Sequence, residues 1–281
     1  MAITIGGHEI ENAEEKYVEL SHGTTRYIEA GSGSPTILVH GVGYTGGAHN
    51  WLLNIGALSS KLRVLAVDCP GWGKGEGYLD QEYSFAYLVD FIREFQDALG
   101  LEKTNLVGHS MGGWLASLFG YESPHRLNKL VLVAAGGAMP RQLRSMVEFK
   151  PPERSQVLES LKSTVKAAGV DLEALADYNY ALVDNPARLA AYRHVLSHMN
   201  NMETRERYNT VRRFPHISVP TLVVWGRNDQ TNALEMGEMT HEGIPGSKMV
   251  VFDCGHFIPT EASDELNAAL LDFLPGETAP A

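Results

Sequence analysis

Short apolar runs alternate with longer amphipathic stretches along most of the chain. Lys16–Leu20 and Thr24–Glu29 alternate apolar and polar residues around Ser21-His22-Gly23, the pattern of an antiparallel hairpin. Thr36–Val39, Arg63–Val67, Thr104–Val107 and Lys129–Ala134 are compact β-rich runs, each ending on small or polar residues. Phe85–Leu99 reads as an amphipathic helix stopped by Gly100, and Gly112–Tyr121 as a second helix with Pro124 beyond it. This alternation predicts a mostly parallel sheet with crossover helices.

The pattern changes between Gly137 and Pro215. No strand run is evident there, and Pro152–Ala168, Leu172–Val183, Pro186–Met199 and Thr204–Arg213 read as helices. Strands resume at Thr221–Trp225 and Lys248–Phe252, followed by a helix over Ala262–Phe273 and a tail, Pro275–Ala281, expected to be disordered. The expected organisation is therefore an α/β core, residues 1–136 and 216–281, with a helical cap, residues 137–215, inserted into it. A structureless loop of about 80 residues inside a compact domain would be anomalous, so a lid of helices is the better reading.

Composition narrows the function. The net charge is −11, from 23 basic and 34 acidic residues, and no Lys/Arg run occurs. That argues against a nucleic-acid partner. No apolar run approaches the ~18 residues of a membrane span. Met1–Gly7 lacks the basic and apolar regions of a signal peptide, so a cytoplasmic chain is expected, with Cys69 and Cys254 as free, apolar fillers. A homodimer is the oligomer the sequence leaves open.

The chemistry concentrates at Gly108-His109-Ser110-Met111-Gly112, set between a predicted strand and a predicted helix. A Gly-x-Ser-x-Gly run in that context is a nucleophile elbow: a sharp turn lifts the hydroxyl clear of the sheet. A serine needs a base, and the base an orienting carboxylate. Asp229 follows Thr221–Trp225 and His256 follows Lys248–Phe252, both after strand ends, where open α/β sheets build their sites. The catalytic set is therefore Ser110, Asp229 and His256, with Asp253 as the nearest rival carboxylate. Oxyanion donors are expected from Met111 N–H and from the loop after Thr36–Val39, with Val42 N–H first and Gly43 second.

These motifs, with His40-Gly41, Asp68-Cys69-Pro70-Gly71-Trp72-Gly73 and Gly255-His256, resemble the α/β-hydrolase superfamily from about Lys16 to Leu274. The resemblance implies the α/β-hydrolase fold: eight strands, the second antiparallel, a cap after strand six, and no cofactor. Asn50-Trp51 and Val133-Ala134-Ala135-Gly136-Gly137 are similar to the meta-cleavage product hydrolases, which cut a carbon–carbon bond in diketo acids from aromatic ring cleavage. Those enzymes usually carry Asn before the serine and Trp after the histidine, where this chain has His109 and Phe257. Their cap arginine grips the substrate carboxylate, and Arg188 and Arg193 are the candidates for it.

The main expectation is a serine esterase acting on a small, partly apolar carboxylic ester or related acyl compound. The alternative keeps the site but cleaves a carbon–carbon bond of a 2-hydroxy-6-oxo-dienoate. A non-catalytic ligand receptor is the alternative of another class. His109, Trp114, Met139, Arg188, Arg193 and Phe257 are the candidate substrate-binding residues, and Met146, Met199 and Met202 fall in or near the same segment. His40 is expected to brace the oxyanion loop. His194 and His198, spaced i and i+4, read as a solvated helix face, and no metal site is expected.

Overall fold

The computed structural model describes residues 1–21, 23–75, 83–139, 148–183 and 185–275. The strands are β1 (Ala2–Ile5), β2 (His8–Glu11), β3 (Ala13–Leu20), β4 (Gly23–Ala30), β5 (Ser34–Val39), β6 (Leu62–Val67), β7 (Thr104–His109), β8 (Leu127–Val133), β9 (Thr221–Gly226) and β10 (Lys248–Phe252). The helices are α1 (Leu52–Leu58), α2 (Phe85–Ala98), α3 (Met111–Glu122), α4 (Arg154–Thr164), α5 (Leu172–Tyr180), α6 (Pro186–Asn200), α7 (Met202–Arg207), α8 (Leu234–Gly243), α9 (Ile258–Glu261) and α10 (Ser263–Phe273).

Eight strands form one sheet in the order β10-β9-β8-β7-β5-β6-β4-β3. Only β4, second of the eight in chain order, runs antiparallel to both neighbours. The central strands are buried on both faces, which is why Thr36–Val39 and Lys129–Val133 read as continuous apolar runs. One apolar layer joins Phe85, Phe95, Leu115 and Phe119 of α2 and α3 to one sheet face. The other joins Ile55 and Leu58 of α1 and Leu266 and Leu270 of α10 to the opposite face. The doubly covered parallel sheet of the α/β-hydrolase fold is thereby complete.

Several elements escape the sequence patterns. β1 and β2 form a separate two-stranded hairpin, and α1, α8 and α9 are short helices that the patterns did not mark. The predicted Thr204–Arg213 helix also divides. Its first part is α7; the chain then turns, with Thr210 N–H donating to Gly137 O at 3.0 Å, and continues as a 3-10 turn over Val211–His216. The turn buries Phe214, which lies so close to Gly243 of α8 that a Cβ there would sit 2.8 Å from its ring.

The helices between β8 and β9 divide between the two layers. Ala191, Tyr192, Val195 and Leu196 of α6 join the layer of α2 and α3. Leu175 of α5 and Val165, just after α4, join the other, beside Ile5 and Ile10 of the N-terminal hairpin. Gly6 fits directly against Leu175, where a Cβ would come within 2.5 Å of the Leu175 Cα. No helix among the described residues is long and apolar enough to cross a membrane.

Candidate active site

The turn from β7 into α3 places Ser110 at φ 56° and ψ −110°, a left-handed conformation that is costly for a residue with a Cβ. The surroundings hold it there. Ser110 N–H donates to Val133 O at 2.9 Å, Gly136 N–H donates to Ser110 O at 2.9 Å, and Gly112 N–H donates to His40 O at 3.1 Å. Two glycines make the close approach feasible. A Cβ at Gly108 would sit 2.1 Å from Gly112 O, and one at Gly112 would sit 2.3 Å from Val39 O.

Ser110, His256 and Asp229 form one hydrogen-bonded chain. Ser110 Oγ lies 2.9 Å from His256 Nε2, and His256 Nδ1 lies 2.7 Å from Asp229 Oδ2. A carboxylate can only accept, so His256 Nδ1 carries the proton and Nε2 is left to accept from the serine hydroxyl. Asp229 is fixed through its other oxygen: Oδ1 accepts from Thr231 N–H at 2.7 Å and Asn232 N–H at 2.8 Å. Asn232 is in turn anchored, its Nδ2 donating to Ala134 O at 2.8 Å and its carbonyl accepting from Trp225 Nε1. Sequence reading found the aspartate but not this cradle. Asp253 is exposed and accepts from Asn228 Nδ2 instead.

The loop after β5 runs alongside the elbow. A Cβ at Gly41 would lie 3.2 Å from Ser110 Cβ. His40 is fully buried and braces this loop: its Nδ1 donates to Gly41 O at 2.7 Å, and its Nε2 accepts from Cys69 N–H at 3.0 Å. Fixing the Gly41 carbonyl toward His40 turns the Val42 N–H of the same planar peptide the opposite way. Burial pulls His40 down to about 4, so it stays neutral and keeps both roles. Gly43 is exposed, and its carbonyl accepts from Gly46 N–H and Trp72 Nε1. Met111 opens α3, so its N–H has no carbonyl of the preceding turn to bond.

His109 is buried beside the chain, with Nε2 donating to His256 O at 2.8 Å and its ring 5.1 Å from that of His256. Burial and the neighbouring His256 hold it down at about 3. A cavity of about 340 Å³ adjoins it, lined by Tyr44, His109, Phe149, Val157, Leu175 and Phe257 among others. His109 and Phe257 are the chain neighbours of Ser110 and His256, so this cavity flanks the Ser110–His256 pair. Its far wall comes from the helices between β8 and β9.

The remaining expected substrate contacts are placed differently. Trp114 lies in the layer beneath α3, its ring 4.2 Å from that of Phe85 and its Nε1 donating to Tyr208 O. Met139 and Met202 are exposed, Met199 is buried in the core, and Met146 lies outside the described residues. Arg193 is exposed on α6. His198 Nε2 accepts the N–H of Phe85 at the start of α2. Arg188 is buried, but its guanidinium is turned to the backbone of the loop after β5. An aromatic cluster of Tyr44, Phe149 and Tyr192, with ring centroids 4.7–5.1 Å apart, stands beside it. That cluster gave no sequence signal, because its members come from three separate segments.

The model of the alpha/beta hydrolase fold family matches residues 35–263. A relative from Paraburkholderia phymatum, named 2-hydroxy-6-oxononadienedioate/2-hydroxy-6-oxononatrienedioate hydrolase, is 32% identical over 94% of this chain and 96% of its own. The Escherichia coli K12 protein of the same name is 31% identical over 88% of this chain and 90% of its own. Among solved structures, the meta-cleavage product hydrolase CumD of Pseudomonas fluorescens IP01 superposes with a TM-score of 0.79 at 27% identity, covering 92% of this chain and 96% of that one. The elbow, the sheet order and a family match across most of the chain lead to one assignment: the chain is a hydrolase and belongs to the alpha/beta hydrolase fold family.

Proposed function

We propose that the chain hydrolyses a carbon–carbon bond in a 2-hydroxy-6-oxo-dienoate, with Ser110 as nucleophile, His256 as base and acid, and Asp229 as the group that orients His256. The observation that carries the chemistry is the Ser110–His256–Asp229 chain at 2.9 and 2.7 Å. The choice of bond rests on the relatives. Those at 31–32% identity over nine-tenths of their length are named as hydrolases of 2-hydroxy-6-oxo-dienedioates, which favours the C–C reading over the ester reading. Residues 137–215 are read as the cap that completes the substrate cavity.

In this reading the enol substrate first takes its keto form, so that the C5–C6 bond lies next to the 6-oxo group and its electron pair has a conjugated acceptor. Ser110 Oγ then attacks the 6-oxo carbon and its proton passes to His256 Nε2. The oxyanion is held by Met111 N–H and Val42 N–H, with Gly43 N–H adjacent; such donors are worth about 3–4 kcal/mol each. The C5–C6 bond breaks as its electron pair moves through the C3=C4 double bond onto the 2-oxo oxygen, giving a dienolate. His256 returns its proton to that leaving fragment. Water, activated by His256, releases the acyl group as a carboxylic acid. The sum is one water added across one C–C bond.

The test compares kcat/KM on a 2-hydroxy-6-oxo-dienoate and on a p-nitrophenyl ester. A higher value on the dienoate is expected, with both activities lost in Ser110→Ala. A higher value on the ester returns the esterase reading, and full activity in Ser110→Ala removes the serine mechanism altogether.

A further inference from the structure

Arg188 stands in the first turn of α6, where Asn185 Oδ1 caps its N–H at 3.1 Å. Helical side chains lean toward the N-terminus, so one in the first turn reaches beyond the helix end. Here it reaches the loop after β5 and, at Gly73, the loop after β6. Nε donates to Tyr44 O at 3.0 Å, Nη2 donates to Tyr44 O and to Gly46 O at 3.0 Å, and Nη1 donates to Gly73 O at 2.7 Å. The guanidinium carbon also lies 5.5 Å from the centroid of the Tyr44 ring. Tyr44 itself is tied to the turn after α5, its hydroxyl donating to Val183 O at 2.9 Å.

A guanidinium has five N–H donors. Four are committed to three main-chain carbonyls, which leaves at most one. A carboxylate grip of the forked kind needs two parallel N–H groups. A substrate carboxylate could take such a grip only by pulling Arg188 off the loop.

We propose that Arg188 is a positioning residue: it holds the carbonyls of Tyr44 and Gly46 inward and so fixes the loop that carries the Val42 and Gly43 N–H groups against Ser110. Four side chains then fix this loop, His49 among them with its Nε2 2.8 Å from Thr45 O. His40 holds Gly41 O, Trp72 Nε1 holds Gly43 O at 3.0 Å, and Arg188 holds Tyr44 O and Gly46 O. Arg188 is the one supplied by the helices between β8 and β9, so it links their placement to the oxyanion site. This inference rests on the serine-hydrolase reading above, but its loop-holding part can be measured without turnover.

The experiment uses Arg188→Gln and Arg188→Lys in the full chain. Each is assayed on a neutral p-nitrophenyl ester and on an anionic 2-hydroxy-6-oxo-dienoate. The ester burst amplitude counts competent Ser110, which separates misfolding from slowed chemistry. The acylation rate per titrated site is expected to fall about 10- to 100-fold on both substrates, with no KM rise confined to the anion. Amide hydrogen exchange in a peptide spanning residues 41–47 is expected to speed up in both variants, while the β7 peptide before Ser110 stays protected. A KM rise restricted to the dienoate would establish a carboxylate clamp and overturn the proposal. So would a reduced burst amplitude with an unchanged rate per site, or unaltered exchange over residues 41–47. If the wild type gives no burst and Ser110→Ala changes nothing, the serine reading fails on its own, and the exchange measurement still decides the role of Arg188.

Discussion

Asp229 shows how near neighbours in the chain aim a side chain at a distant partner. Its Oδ1 is occupied by two backbone N–H groups, so Oδ2 has one direction left, toward His256 Nδ1. Replacing Asp229 with Asn would present an N–H₂ or a weaker acceptor to that nitrogen and stabilise the wrong tautomer. Asp229→Asn is expected to lower kcat by about 10⁴-fold with little change in KM, measured as single-turnover rates at neutral pH. Asp253→Asn, on the exposed side of the same loop region, is expected to leave kcat within about twofold, since surface changes away from a site have small effects. Ser110, His256 and Asp229 were all legible in the sequence because the fold fixes their order and their places after strands. Arg188 was legible only as a cap arginine. Whether its donors were free depended on the carbonyls of Tyr44, Gly46 and Gly73, and backbone groups leave no signature in side-chain identity.

At the scale of elements, the elbow and the helices between β8 and β9 behave differently. The elbow is over-determined by close backbone contact. Gly112→Ala would drive a Cβ into Val39 O of β5, a backbone atom that cannot swing aside. Loss of at least ~3 kcal/mol in urea unfolding and loss of activity are expected. Gly100, which stops α2 at φ 65° with open space around it, is the control; Gly100→Ala is expected to cost about 1 kcal/mol and leave activity unchanged. The helices between β8 and β9 are held by separate contacts on each layer. Leu175 of α5 is buried against the N-terminal hairpin, and Leu175→Ala is expected to cost about 2–5 kcal/mol, seen as a lowered unfolding midpoint. The hairpin itself was missed because four-residue strands with one buried position each carry almost no periodic signal. Three of the four helices read between β8 and β9 have ends close to those observed, since caps such as Asp171 and Asn185 are local; Thr204–Arg213 does not, because the chain turns after Arg207.

Across the whole molecule, three buried histidines set a common pH dependence. Burial lowers His40 to about 4 and His49 and His109 to about 3, all below the ordinary value of 6.5. In the unfolded chain these groups take up protons below about pH 6.5, while the folded chain does not until about pH 4 or 3. The unfolded state therefore binds more protons in that window, and stability rises with pH through it. Each histidine contributes a slope of about 1.4 kcal/mol per pH unit there. Unfolding free energy is expected to fall from pH 6.5 toward pH 4 and to be insensitive to these groups above pH 7. His49→Phe, which removes one of them away from the Ser110 chain, is expected to make the decline shallower in urea titrations between pH 4.5 and 6.5. An unchanged slope would mean that His49 does not remain neutral in the folded state.

Local patterns along the chain were enough for the eight strands of the main sheet, the helices α2, α3 and α10, the elbow and the order of its partners. Each of these is written in local terms: an apolar period, a capping residue, a glycine where backbone must pass backbone, a polar residue just past a strand. The tertiary structure alone decided where the helices between β8 and β9 come to rest, which of their side chains face the cavity beside His109, and that Arg188 spends its donors on the loop behind Tyr44. Those outcomes depend on main-chain carbonyls and on apolar surfaces from segments more than a hundred residues apart, such as Tyr44 and Arg188, and no local pattern encodes such a meeting.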